Sequence, residues 1–320
     1  MIDLPQFRIE GRDADVDSFA ACIHGAMKYW GREIDYHYVA GLSGVVFSPA
    51  WNKSESCAAW WTELGNNIRI GFLGTALGFQ YMASPDKNGS IVEGKNINRM
   101  SEFLKTAKTA VSDGLPVLIG SWPTWSVIKE WDDNLENHRL ETVKGPVEKI
   151  TKPHPTSKLY ILTPSNPEMS KKRAIRESIK FGEEIASGKF VKEGFEYGGS
   201  LYGEFLRKLD DEHFCPDCKG RSHNCAARTI ERVRGLQLSA VEFLKIVATQ
   251  YEGTVTKTSI LGIASGYQFM ADTLEPFNFS SLKENWGNKA HMDELKKSLV
   301  TVIKMHEGAS RALGKVIGEL

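Results

Sequence analysis

Apolar positions in the first half of the chain alternate between helical and extended spacing. Between residues 18 and 31, Phe19, Cys22, Ile23, Ala26, Met27 and Trp30 recur at three- and four-residue intervals, which is one face of a helix. Gly31 is placed to stop that helix in a left-handed conformation. Residues 35–47, DYHYVAGLSGVVF, predict a short helical piece that runs into a glycine-containing turn. A second helix is predicted over 97–112, where Ile97, Met100, Phe103, Leu104, Ala107 and Val111 repeat at the same intervals and Asp113-Gly114 ends the pattern. The run LPVLIGSW (115–122) suits a buried strand, and WSVIKEW (125–131) alternates before a turn at Asp132-Asp133. RLETV (139–143) and KLYILTP (158–164) predict further strands, separated by a loop containing Pro and Lys.

From Lys171 the pattern is helical throughout, over 171–187, 198–209, 226–252, 257–275 and 290–318, with Gly253 and Pro276 as breaks. The stretch TPSNPEMS (163–170) is the candidate boundary. The expected fold class is therefore α+β, with a mixed domain over 1–165 and an all-helical region over 166–320. There is no internal repeat and no low-complexity tract.

Composition narrows the class of partner. Forty basic residues balance forty acidic ones, so there is no basic excess to meet nucleic acid or an anionic membrane surface. With 41% hydrophobic and 25% charged residues the 320-residue chain can bury a sizeable core, as one large domain or two ordinary ones. No apolar run approaches the ~20 residues that span a bilayer, and MIDLPQFRIEGRD lacks the apolar core of a secretory signal. The five cysteines are odd in number, and three fall within eleven residues, which is not the pattern of a disulfide-stapled protein. A reducing cytoplasm is the expected compartment, a small molecule or peptide conjugate the expected partner, and self-association is left open.

Candidate chemistry lies at two places. Cys22 falls near the start of the first predicted helix, where dipole and unpaired amides stabilise a thiolate, although cysteine is also a common core residue. A nucleophile there needs a base. His24 points about 200° away on the helix, and His37 or His138 would have to arrive by folding, with Asp132 as a third member. The second place is HFCPDCKGRSHNC (213–225), where Cys215, Cys218, His223 and Cys225 form a four-ligand set of the kind zinc takes. Its weak point is the His-x-Cys pair, since residues i and i+2 diverge on a helix or a strand and converge only in an irregular loop. The same CPDC suits thiol exchange as a redox pair, or a plain polar loop between helices. Trp51, Trp60, Trp61, Trp122, Trp125 and Trp131 line a pocket or fill a core. GGS at 198–200 lacks the residues of a phosphate loop and is read as a helix-start turn. KKRAIR (171–176) is read as a solvated face.

Three segments of the first half carry a resemblance. These are the cysteine-bearing helix that ends Tyr-Trp-Gly at 31, the stretch GLSGVVF (41–47), and a helix followed by GLPVLIG (114–120) and two short strands. Together they resemble the papain-like, C39-type double-glycine-leader peptidases, and more closely their non-peptidase relatives, the butirosin-biosynthesis acyltransferase N-terminal family. GGSLYGEFLRKL, ERVRGLQLSAVEFL and ASGYQFMADTL, within 198–275, resemble the helical tail of some of those relatives. The resemblance implies a papain-like core in which Cys22 is the nucleophile of acyl transfer or hydrolysis. It implies that Phe47, Trp51, Thr124 and Trp125 contact substrate. Thr124 stands where such proteins carry the catalytic His, and Asp15-Val16-Asp17-Ser18 offers no Gln for an oxyanion hole. The expectation is therefore a divergent or degenerate member.

Overall fold

Asp17 starts the first helix, α1 (Ser18–Tyr29), by accepting the Ala20 N–H on its Oδ1 at 2.8 Å. The helix ends at Trp30 with Gly31 at φ 73°, the left-handed stop that the pattern predicts. The structure is a computed structural model and describes residues 17–47, 50–52, 69–85, 100–121, 124–131, 139–142, 145–147, 158–190, 195–209 and 222–320. The chain divides into two units. The first draws on the described residues of Met1–Val39 and Asn66–Ser170, and the second on those of Ala40–Gly65 and Lys171–Leu320. The class is α+β, and among the described residues no helix is long and apolar enough to cross a membrane.

The first unit is built on a six-stranded antiparallel sheet. Its strands are β2 (Phe79–Ala83), β3 (Val117–Ser121), β4 (Thr124–Glu130), β5 (Arg139–Thr142), β6 (Gly145–Val147) and β7 (Lys158–Pro164), in the order β2-β7-β3-β4-β5-β6. Both faces of its middle are covered. Val117, Ile119, Ile128, Leu140, Leu159 and Ile161 pack with Phe103, Ala107, Ala110 and Val111 of α4 (Met100–Ser112). On the other face Phe19 of α1 meets the rings of Trp125 and Tyr160 at 5.1 and 6.5 Å. A strand buried on both faces reads as a continuous apolar run, and this is the pattern of 115–122. The sequence pattern does not predict α3 (Ile70–Leu77) or β2. In GFLGTALGFQYMA the apolar residues run on without a clear period, and the division into helix and strand is set at Gly78, whose N–H closes on Gly74 O at 2.8 Å. Arg32 holds that corner in place, with its guanidinium donating to the carbonyls of Leu77, Gly78 and Ser165 at 2.8, 2.6 and 2.6 Å.

The second unit is mainly helical: α5 (Lys171–Ala186), α6 (Gly199–Leu209), α7 (Ser222–Ala248), α8 (Val255–Leu274), α9 (Phe279–Asn285) and α10 (Lys289–Ile317). Its longer part begins at Lys171, and the unit is not one continuous run of sequence. The described residues of 40–65, namely 40–47 and 50–52, belong to this unit, and β8 (Phe195–Tyr197) interrupts the expected all-helical run by pairing antiparallel with β1 (Ala50–Asn52). A three-residue strand must satisfy its backbone groups with a partner, and that partner comes from far back in sequence, outside any local window.

The entry of that early segment organises the unit. α2 (Tyr36–Ser43) leads into a 3₁₀ turn, Val45–Phe47, and Phe47 is fully buried against Phe243 of α7 and Tyr267 of α8, at 5.9 Å between centroids in both cases. The Phe47 carbonyl accepts two hydrogen bonds, from Tyr267 Oη at 3.0 Å and from His306 Nε2 of α10 at 3.1 Å. Such close packing requires glycine at two facing points. A Cβ at Gly41 would lie 2.0 Å from the Phe243 ring, and one at Gly182 of α5 would lie 2.2 Å from the Phe47 ring.

The packing around Phe47 generates two predictions. Gly182→Ala should lose stability by about 2 kcal/mol or more despite the better helix propensity of alanine, because the overpacking term exceeds the gain of ~1 kcal/mol. Gly314→Ala, whose Cβ would meet Glu183 at an ordinary 3.8 Å, should be neutral or slightly stabilising. Urea denaturation of both variants, compared by midpoint at constant slope, checks this. The second prediction concerns His306. Burial pushes its pKa from 6.5 down to about 4, partly opposed by the bond to Phe47. Its Nδ1 is buried with no hydrogen-bond partner among the described residues. The folded protein therefore favours the neutral ring. The resulting stability is fully present above about pH 6.5 and is lost as pH falls toward 4, by on the order of 3 kcal/mol. His306→Gln, which keeps a donor for Phe47 but does not titrate, should flatten the urea midpoint against pH in that window.

Candidate functional site

The start of α1 is where the sequence places its chemistry, and Asp17 caps it. The Ala21 N–H already closes the first helical bond on Asp17 O at 2.9 Å, and the Ala20 N–H goes to the Asp17 carboxylate. Cys22 therefore sits one turn inside the helix, beyond the orphan amides that would stabilise a thiolate. Its exposure is 0%. The whole of 18–27 is buried, so α1 has no open face along the stretch that carries the thiol. The group at the helix start is the Ser18 hydroxyl, which accepts the Trp125 N–H at 2.9 Å and ties α1 to the beginning of β4. Asp17 is fastened in turn, its own N–H donating to Tyr36 Oη at 2.7 Å.

Two histidines, His24 and His37, gather around Tyr36. His24, 7% exposed, meets the Tyr36 ring at 6.0 Å, and His37 meets it from another side at 5.1 Å. His37 lies in the first turn of α2 (Tyr36–Ser43), its backbone N–H donating to Asp35 Oδ1 at 2.7 Å. His138 and Asp132 lie outside the described residues.

Trp125 is half-buried and stacks on Tyr160 at 5.4 Å and 24°, and Tyr160 meets Tyr81 edge-on at 5.8 Å. With Phe19 beneath, these rings form an aromatic patch on the α1 face of the sheet. Lys129, in phase with Trp125 along β4, is 5% exposed. Sequence reasoning passes over it, although the two-residue period of WSVIKEW already puts 125, 127 and 129 on one face. Thr124 begins β4 opposite Ser121, and Trp51 is the middle residue of β1, opposite Glu196. The side chains of both lie outside the described residues. Phe47 lies in the core of the second unit at 0% exposure.

The expected zinc set divides. Cys215 and Cys218 lie outside the described residues. His223 and Cys225 fall in the first turn of α7, a regular helix, where side chains two apart diverge by about 200°. The His223 ring faces Phe279 and Trp286 at 6.5 and 6.3 Å, while Cys225 is buried at 2% exposure. Among the described residues no group of three or more His, Cys, Asp or Glu is placed to hold a metal. Neither a protein-family model nor a curated protein sequence matches the chain.

The cap at α1 is directly testable. Asp17→Ala should cost about 1–2 kcal/mol through the lost acceptor and the helix dipole, and Asp17→Asn, which keeps the acceptor, less than half of that. Thermal and urea unfolding of the two variants side by side measure the difference.

Proposed function

We propose that the first unit is a divergent papain-like, C39-like core that holds a small molecule or peptide conjugate against the aromatic patch, with Cys22 packing in the core and not attacking the ligand. The reading rests on the cysteine-bearing helix, on GLSGVVF, and on GLPVLIG with its flanking elements. It is supported by the way the start of α1 abuts the start of β4 on an antiparallel sheet. The observation that carries the non-nucleophilic role is the 0% exposure of Cys22, one turn behind a helix start already capped by Asp17. A thiol acts as a nucleophile only where its electrophile can reach the sulfur. Binding is supported by Trp125, whose half-buried ring is stacked and held through its backbone by Ser18, a rigid platform for an acyl or amide group.

The test has two arms. The native protein is incubated with p-nitrophenyl acetate and, separately, with iodoacetamide, then mapped by peptide mass. Cys22 should stay unmodified until denaturant is added, and acetylation of native Cys22 would overturn the non-nucleophilic assignment. The second arm is thermal-shift titration with S-octanoyl-cysteamine and N-octanoyl-glycine. Binding should raise the melting temperature by a few degrees and disappear in Trp125→Ala. No shift with either probe, or a shift unchanged in Trp125→Ala, sinks the binding assignment.

A further inference from the structure

We infer that the outer face of α8 and α10 is a homodimer interface, in which two copies of this chain pack with their α8 helices antiparallel. The two helices leave between them a groove of about 440 Å³ whose floor is made by Gly262, Ile263 and Gly266 of α8 and Gly308, Ala309 and Ala312 of α10. Beside it, on the same helix, stand side chains that a water-facing surface does not call for: Val255 at 79% exposure, Phe269 at 49% and Leu261 at 37%. Val255, Thr258, Gly262, Ser265, Phe269 and Asp272 recur at three and four, so knob and hole lie along one seam. A hole and a knob on a single face are self-complementary, which is the requirement of a two-fold interface.

The register is set by the helix directions. The Phe277 ring, just past the end of α8, meets His291 near the start of α10 at 5.3 Å, so α8 and α10 run antiparallel. Ser259 and Lys315 therefore share one end of the groove, and Gly266 and Lys304 the other. Two copies placed face to face about the level of Ser265 and Gly266 bring Phe269 of each over Gly262 of the other. In the same register Asp272 of each copy arrives at the Ser259–Lys315 end of the other's groove. Neither Asp272 nor Lys315 has an ion-pair partner among the described residues, and the Asp272 carboxylate is held outward by Gln268 at 2.8 Å. Each copy thus supplies Lys315 of the other with a carboxylate, twice by symmetry, at an end of the groove that Glu319 also lines. α8 has 20 residues. A two-helix face ~30 Å long and ~20 Å wide on each copy reaches the ~1,200 Å² total of a specific interface. The formal net charge of zero leaves no long-range repulsion between copies.

Sedimentation equilibrium on the full chain, from micromolar to millimolar concentration, tests the inference. The chain should dimerise, and Phe269→Asp should be monomeric over the same range. Gly262→Leu should also be monomeric, and a Cβ at this exposed helical position meets nothing within 4 Å in the single chain. Matching circular dichroism melts at micromolar concentration verify that both variants fold. Asp272→Lys should weaken the dimer about tenfold, and Asp272→Lys with Lys315→Asp should restore it. A wild-type chain that stays monomeric throughout overturns the interface, and so does a dimer indifferent to Gly262→Leu and Phe269→Asp.

Discussion

The carbonyl of Phe47 is the point on which the second unit depends. A backbone oxygen carried into an apolar interior must be paired, and this one takes a hydroxyl from α8 and an imidazole from α10. Both donors are themselves buried, so each is held by the need to satisfy the other end of its bond. Around this point the constraints accumulate: glycine is required at 41 and 182, and His306 is held neutral. Ser178 of α5 also donates from its Oγ to the carbonyls of Gly41 and Leu42, both at 2.7 Å. The early segment 40–47 is thus part of the helical unit's core, although it lies more than a hundred residues from the helices it joins.

The same economy of polar groups explains the start of α1. A helix N-terminus offers a small set of unpaired amides and a partial positive charge, and these serve one acceptor at a time. Asp17 already occupies that position, and Ser18 is occupied by the Trp125 backbone amide of β4. Cys22 is left where a small apolar residue belongs, on a helix buried along the stretch that carries it. The presence of a cysteine near a helix start is therefore a statement about residue type. Its chemistry is decided by one turn of helix, about 5.4 Å.

Much of the fold was legible because it is periodic. α1, α4, α5, α7, α8 and α10 each bury one stripe or more, and that stripe repeats at three and four whatever the helix packs against. β3, β4, β5 and β7 were legible as apolar or alternating runs bounded by turns. The elements that escaped are short or unperiodic. α3 and β2 share one apolar run, α9 is a seven-residue helix between two long ones, and β1 and β8 are three-residue strands that exist only as a pair. Of the candidate site, the residue types at 17–22 and 125 were legible and their geometry was not. GLSGVVF stands beside the first domain in sequence, and only the structure shows the Phe47 ring packed against α7 and α8.

The sequence by itself determined the α+β class, the switch to helix at Lys171, the stop at Gly31 and the diverging directions of His223 and Cys225 once they share a helix. All of these are consequences of local period, backbone stereochemistry and neighbours a few residues away. Tertiary structure alone decided that residues 40–47 and 50–52 serve the helical unit, that the Trp125 amide takes the Ser18 hydroxyl at the start of α1, that Cys22 is closed off, and that α8 keeps an apolar seam uncovered. Each of these depends on which distant group satisfies a buried polar atom or fills a volume, and contact across a hundred residues leaves no local period to read.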